Sequence, residues 1–391
     1  MNTQEDAPKS SIELGDIFRQ HAPAYFENHT LSPGQYKVMH AIMNCRTAAL
    51  GGHVMACDHC HEIHISYNSC RNRHCPKCQS LRTANWLENR RKELLPVDYF
   101  HVVFTLPHEL NNLISYNKVA MYNLLFQSAW ETIKKLGEDK ERLNGLMGMM
   151  AILHTWSQTL LSHNHLHCIV PGGALDKSKE HWNKSKNGYL FPVKVMGKMF
   201  RGIFISKMRT LIDNKELTFP DAQNTDRLLD ALMEKSWVVY SKKPFAGPEK
   251  LLDYLGRYTH KIAISNYRIL SCDDKIVRFK WRDYSDDNKE KVMELAPDEF
   301  IRRILSHVVP TGFMRIRTFG FLANACKTKN IEIIRDLLSY NPDPPKSKDT
   351  ETLMLETTGV DITLCPHCKI GKLHKIQTLQ SKIGKGLNDT S

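Results

Sequence analysis

Two short cysteine motifs, Cys57-Asp58-His59-Cys60 and Cys75-Pro76-Lys77-Cys78, constrain this chain more than any other feature. Two tight turns can place four thiolates tetrahedrally around one ion, and thiolates favour zinc over harder metals. The gap between the pairs falls just short of that in a zinc ribbon. One structural zinc is therefore expected on Cys57, Cys60, Cys75 and Cys78. Cys70 and His74 lie inside the loop and could replace a ligand or end a second site, but packing beside the knuckle is the preferred reading. Far downstream, Cys365-Pro366-His367-Cys368 is half a site. Either other residues complete a second zinc fold there, or it holds no metal.

The thiols are read as metal ligands because the chain opens without a signal peptide, which predicts a cytoplasmic protein where disulfides are rare. No apolar run approaches the roughly 18–20 residues that a membrane span needs. The 54 Lys and Arg outnumber 42 Asp and Glu, a formal charge of +12 that suits a polyanion such as nucleic acid. Arg71, Arg73 and Lys77 stud the zinc loop, and Arg82, Arg90, Arg91 and Lys92 follow. This is either a nucleic-acid-binding module or a solvated basic face.

A second feature suggests either a different metal or a polar strand face of partly exposed histidines. In His163-Asn164-His165-Leu166-His167-Cys168-Ile169-Val170-Pro171-Gly172-Gly173 the histidines fall on alternate residues, so a strand presents all three on one face. Leu166, Cys168 and Val170 take the other face, and Ile169 continues the histidine side. Residues 149–158 form a neighbouring strand. A hairpin between the two points His154 and Gln158 towards His165 and His167. The third ligand is then His154 first, with Gln158 or His163 as alternatives. Neutral imidazoles suit manganese better than magnesium, although either can serve.

The chain divides into a tail (1–11), a helical and zinc-binding unit (12–95), a central domain (96–285), a helical basic region (286–340), and a linker with the lone knuckle (341–391). Ser32 and Pro33 mark a helix start. Tyr99 to Leu106 is a buried strand. Residues 195–213 and 224–235 are helical. A helix beginning near Pro248 stacks Tyr254 and Tyr258 on one side, flanked by Arg257, His260 and Lys261. Gly256 interrupts it at a cost of about 1 kcal/mol relative to alanine. Residues 313–321 interleave aromatics with Arg315 and Arg317, a pattern that serves stacked single-strand bases or an amphipathic strand equally.

Taken together, these pieces resemble the rolling-circle transposases of the two-tyrosine HUH class, in the IS91-like insertion-sequence family. The resemblance rests on Ser69 to Cys78, on His165-Leu166-His167 before Pro-Gly-Gly, on Tyr254-Leu255-Gly256-Arg257-Tyr258-Thr259-His260, and on Gly312 to Arg317. It implies an α+β fold, an antiparallel sheet flanked by helices of ferredoxin-like split βαβ type, with an N-terminal zinc-binding domain. It also implies a metal-dependent nuclease and strand transferase acting on single-stranded DNA at transposon ends and target. His165, His167 and His154 would hold the divalent cation, and Tyr254 and Tyr258 would be nucleophiles. Arg71, Arg73, Lys77, Arg257, Lys261, Arg315 and Arg317 would contact DNA. A replication initiator or relaxase with the same chemistry, and a non-catalytic zinc-dependent DNA-binding protein, remain the alternatives.

Overall fold

The computed structural model describes residues 12–186, 188–219, 225–242, 247–259, 263–342 and 348–383. The N-terminal part opens with helices α1 (Leu14–Asn28) and α2 (Pro33–Met43), followed by strands β1 (Gly52–Cys57) and β2 (Ile63–Tyr67) and helix α3 (Ser80–Arg91). Local chemistry sets the start of α2. Ser32 Oγ accepts the Gln35 N–H at 3.3 Å, Gln35 Oε1 accepts the Ser32 N–H at 3.0 Å, and Pro33 occupies the first turn.

The central part carries β3 (Tyr99–Thr105), α4 (Asn111–Tyr116), α5 (Lys118–Glu138), β4 (Gly148–Trp156), β5 (Ser162–Pro171), β6 (Gly173–Leu175) and β7 (Trp182–Lys184). After these come α6 (Val193–Asp213), α7 (Thr225–Glu234), β8 (Val239–Lys242) and α8 (Gly247–Thr259). The remainder holds β9 (Ile269–Cys272), β10 (Val277–Asp283), β11 (Lys289–Leu295), α9 (Pro297–Ser306), β12 (Ile316–Gly320), α10 (Lys327–Leu337), α11 (Thr350–Thr358) and β13 (Leu373–Leu379).

Five strands form an antiparallel sheet in the order β12-β4-β5-β3-β8, with the histidine strand β5 at its centre. The sheet is buried on both faces. Phe100, Val102, Phe104, Met149, Ala151, Leu153, Leu166, Cys168 and Val170 pack with Phe126 and Ile133 of α5 and Phe200 and Phe204 of α6. On the opposite face Tyr99, Met150, Ile152 and Ile169 pack with Leu251 and Leu252 of α8 and Trp86 and Leu87 of α3. The fold is thus α+β, an antiparallel sheet between helices. Burial of both faces fixes the register, since a slip of one residue would exchange the faces.

The domain partition read from the sequence needs two corrections. Residues 286–340 do not stand apart. The sheet β11-β10-β9 and helix α9 share a core with α1 and α2, where Phe18, Ile17, Phe279, Phe300 and Ile301 are buried together. Strand β12 is an edge of the central sheet, pairing Ile316 with Ile152 and Phe319 with Met149. Nor is 341–391 a linker with a separate tail. Strand β13 returns to pair with β1 from Gly52–Leu379 to Cys57–Leu373, giving a sheet in the order β13-β1-β2. Helix α11 packs against α3. The expected tail, residues 1–11, lies outside the described residues. Among the described residues no helix is long and apolar enough to cross a membrane.

The join between the two large cores carries a buried histidine. His307 Nε2–H donates to the Leu160 carbonyl oxygen at 2.9 Å, and Nδ1 accepts from Thr155 Oγ1 at 3.2 Å. Burial lowers its pKa from 6.5 to about 4. The folded form therefore binds fewer protons than the unfolded chain between these values. The stabilisation is complete above pH 6.5 and is lost as pH falls towards 4, on the order of 3 kcal/mol in all. Thermal melts from pH 7 to 4.5 should show this loss, and His307→Asn should make the melting temperature less sensitive to acid.

Candidate active site

His154 on β4 lies opposite His165 on β5, and Ile152 opposite His167. This pairing sets His154, His165 and His167 on one face, and their ligand nitrogens all fall within 4.8 Å of one another. The three rings meet nearly at right angles: 75° between His154 and His165, 84° between His154 and His167, and 76° between His165 and His167. They form the three walls of a corner. His154 and His165 are buried, and His167 is half-buried.

The nitrogen positions suit a cation. His165 Nδ1–H donates to the His163 carbonyl oxygen at 2.8 Å, which leaves the Nε2 lone pair facing the corner. His167 Nε2 lies 3.1 Å from it. Two nitrogens bound to one ion at right angles, each about 2.1 Å away, would stand about 3.0 Å apart. Burial holds the His165 pKa down to about 3 and lowers that of His167 well below the ordinary value. Both imidazoles are neutral at pH 7, as ligands must be.

The alternatives for the third position lie outside this group of nitrogens. The Gln158 side-chain amide donates to the Tyr284 hydroxyl at 3.1 Å. His163 is exposed and contributes its carbonyl. One residue the sequence reading missed is His101 on β3, whose Nε2 is 2.8 Å from His167 Nδ1 and whose pKa burial lowers to about 4. Were His167 Nε2 turned to a cation, its Nδ1–H would donate to His101, which would orient the ring. The alternation of β3 put His101 on this face, but its pairing with β5 was needed to see the contact. His101→Ala is expected to weaken manganese affinity about 10- to 100-fold by calorimetric titration. Beyond the corner, Trp156 stacks on His154 at 4.4 Å, and the Arg315 guanidinium sits over Trp156 at 5.5 Å.

Helix α8 covers the histidine face through Leu251 and Leu252. Tyr254 and Tyr258 both lie within it, but their side chains and that of Arg257 are outside the described residues, as is Lys261 altogether. Gly256 has a clear packing reason. A Cβ there would meet the Leu87 side chain at 2.8 Å, so glycine lets α8 lie close against α3. This close approach offsets the propensity cost expected for a glycine inside a helix.

The cysteines do not assemble as the sequence spacing suggested. Cys57 and Cys60 do not join Cys75 and Cys78. One group is Cys45, Cys70, Cys75 and Cys78, and another is Cys57, Cys60, Cys365 and Cys368. Cys45 follows α2 outside any paired motif. It reaches Cys78 with Sγ atoms 3.2 Å apart, while Cys70 reaches Cys78 at 3.5 Å. Strand β1 carries the first knuckle away from the second, towards β13. His74 is no ligand: its Nδ1–H donates to Asn72 Oδ1 at 3.1 Å and Nε2 accepts the Val309 N–H at 3.4 Å.

The basic residues are more engaged than expected. Arg71 is exposed. Lys77 pairs with Glu13 at 2.6 Å, and Arg73 donates to the Phe313 carbonyl oxygen at 2.8 Å. Arg315 is only 6% exposed and donates to the Leu153 carbonyl oxygen at 3.2 Å; burial lowers its pKa to about 9. It braces the sheet edge rather than offering a solvent-facing cation. Arg317 lies over Phe126 at 4.4 Å and Phe313 at 4.9 Å and donates to Asn123 Oδ1 at 2.7 Å.

Comparison with known proteins bears on this architecture. A family described as "Putative transposase" matches residues 148–330, and one described as "Transposase zinc-binding domain" matches residues 17–106. The chain is 44% identical over 388 residues to the "Putative transposase y4qJ" of Sinorhizobium fredii, covering 96% of this chain and 98% of that protein. The chain belongs to the IS91-like transposase family. It is also 27% identical over 338 residues to the transposase for insertion sequence element IS801 of Pseudomonas savastanoi pv. phaseolicola, covering 84% of this chain and 80% of that one. No solved structure matches. As a transposase the protein is a DNA-processing enzyme, and its cysteine groups suit structural zinc.

Proposed function

We propose that this transposase nicks and rejoins single-stranded DNA through tyrosine attack, in rolling-circle transposition in the bacterial cytosol. The reading rests on one observation above all: Leu251 and Leu252 seat the tyrosine-bearing helix on the sheet face that carries His154, His165 and His167. These histidines would hold a manganese or magnesium ion. When bound, the ion would withdraw charge from a scissile phosphate and orient its phosphorus for in-line attack.

The phenol oxygen of Tyr254 or Tyr258 attacks phosphorus, and the bond from phosphorus to the 3′ oxygen breaks. The departing oxygen takes a proton and becomes a free 3′-hydroxyl, while the 5′ end stays as a phosphotyrosine ester. A phenol titrates near pH 10, so the site must ease loss of its proton. The ester conserves the phosphodiester bond, and a 3′-hydroxyl can reverse the step without an external energy source. Two tyrosines allow two strands to be held at once. Arg71, Arg257 and Lys261 are retained as contacts to the DNA backbone.

Incubating the full chain with a single-stranded transposon-end oligonucleotide and manganese should give a covalent adduct on a denaturing gel. A Tyr254→Phe, Tyr258→Phe double variant should give none. The absence of adduct with either metal would sink the nuclease reading. Persistence in the double variant would move the nucleophile elsewhere.

A further inference from the structure

The second cysteine group joins residues more than three hundred positions apart, and the zinc-binding family match ends at residue 106, before half of it. Its geometry is that of a metal site. Cys57 and Cys368 Sγ atoms lie 3.7 Å apart, and Cys60 and Cys365 3.8 Å. These distances exclude disulfides, whose sulfurs are about 2.05 Å apart. They match the edge of a tetrahedron of sulfurs around zinc, about 3.8 Å for bonds near 2.3 Å.

The two knuckles are built alike. The fourth residue after each leading cysteine, His61 and Lys369, has positive φ and donates its N–H to that cysteine's carbonyl oxygen, at 3.2 and 2.9 Å. Backbone amides also point at sulfur. His59 N–H donates to Cys57 Sγ at 3.4 Å, and Gly371 N–H to Cys368 Sγ at 3.4 Å. Such donors stabilise thiolates. Around them, Asp58 N–H donates to the Lys372 carbonyl oxygen at 3.1 Å, and Lys372 N–H to Asp58 Oδ1 at 2.8 Å. Gly371 leaves no room for a side chain, since a Cβ would lie 2.5 Å from Cys57 Sγ.

We propose that Cys57, Cys60, Cys365 and Cys368 bind a second structural zinc that clasps the C-terminal segment onto the N-terminal sheet. The clasp fixes β13 against β1 and returns the chain so that α11 rests on α3, the helix against which α8 packs. Through α3, the C-terminal segment is thereby joined to the tyrosine helix.

Zinc content and proteolysis of the full chain test this without reference to DNA chemistry. Cys365→Ser with Cys368→Ser should release one zinc equivalent per chain relative to the unsubstituted protein. It should also expose the C-terminal segment to a protease that leaves the central sheet intact. Gly371→Ala keeps every thiol, and should lose the same equivalent at a chelator concentration that leaves the unsubstituted protein loaded. This variant carries the test if the serine variant does not fold. Unchanged zinc content in the serine variant, or equal chelator resistance in Gly371→Ala, would overturn the site. Loss of zinc with an undiminished protease resistance of the segment would overturn the clasp.

Discussion

Replacing His165 with alanine is expected to reduce covalent adduct formation about a thousandfold or more, while His163→Ala changes it little. A metal ion contributes several kcal/mol of transition-state charge stabilisation, and each 1.36 kcal/mol is tenfold in rate. His165 holds an Nε2 lone pair in the corner because its other nitrogen is committed to the His163 carbonyl oxygen. His163→Ala leaves that carbonyl in place, and the His163 ring is outside the histidine group. The measurement is adduct yield against time, with a thermal melt to show that both variants fold and metal titration to show that only His165→Ala loses affinity. Equal damage from the two substitutions would mean that the strand, rather than the ligand, is what the reaction needs. A wild-type rate in His165→Ala would remove the metal corner from the mechanism.

The contrast between these neighbouring histidines shows what the sequence makes legible. Period-two alternation sorted β5 correctly between its faces: Leu166, Cys168 and Val170 lie in the large core, and Ile169 lies on the histidine side. Parity also placed His154 beside His165, because a hairpin ties two local segments into one register. Signals of this kind are local. The Ser32 and Pro33 helix start is another, since capping involves only the next few residues. Pairings between distant segments had no such signal. Nothing around Ile316 announces that β12 joins β4, and so Arg315 looked like a cation among aromatics on a surface. The same residue pattern makes a buried cation–π contact once the strand becomes a sheet edge. Cysteine spacing failed for a related reason. It reports which thiols share a turn, but not which turns share an ion.

Cys45→Ser therefore separates the two ways of grouping the cysteines. Under the spacing of paired motifs, Cys45 is a spare thiol and its replacement by a near-isostere should be almost silent. In the structure it belongs with Cys70, Cys75 and Cys78, beside a core that includes Leu14, Ile17, Phe18, Met39 and Phe300. Those four thiols are buried or half-buried, and their close approach makes the group dependent on an ion that can neutralise thiolates. Structural zinc contributes roughly 10–16 kcal/mol in small zinc domains, comparable with the whole stability of an ordinary domain. Losing one ligand of four should forfeit a large share of it. The expected result is the loss of one zinc equivalent and a lowered melting temperature (about 2–4 °C per kcal/mol for a cooperative unit of 150–250 residues, less for a longer one). Cys75→Ser should do the same. Because α1 and α2 share this core with β9, β10 and α9, the loss should spread beyond the zinc loop, visible as faster proteolysis of the helices at both ends of that core. Full zinc content and an unchanged melt in Cys45→Ser would return Cys75 and Cys78 to other partners.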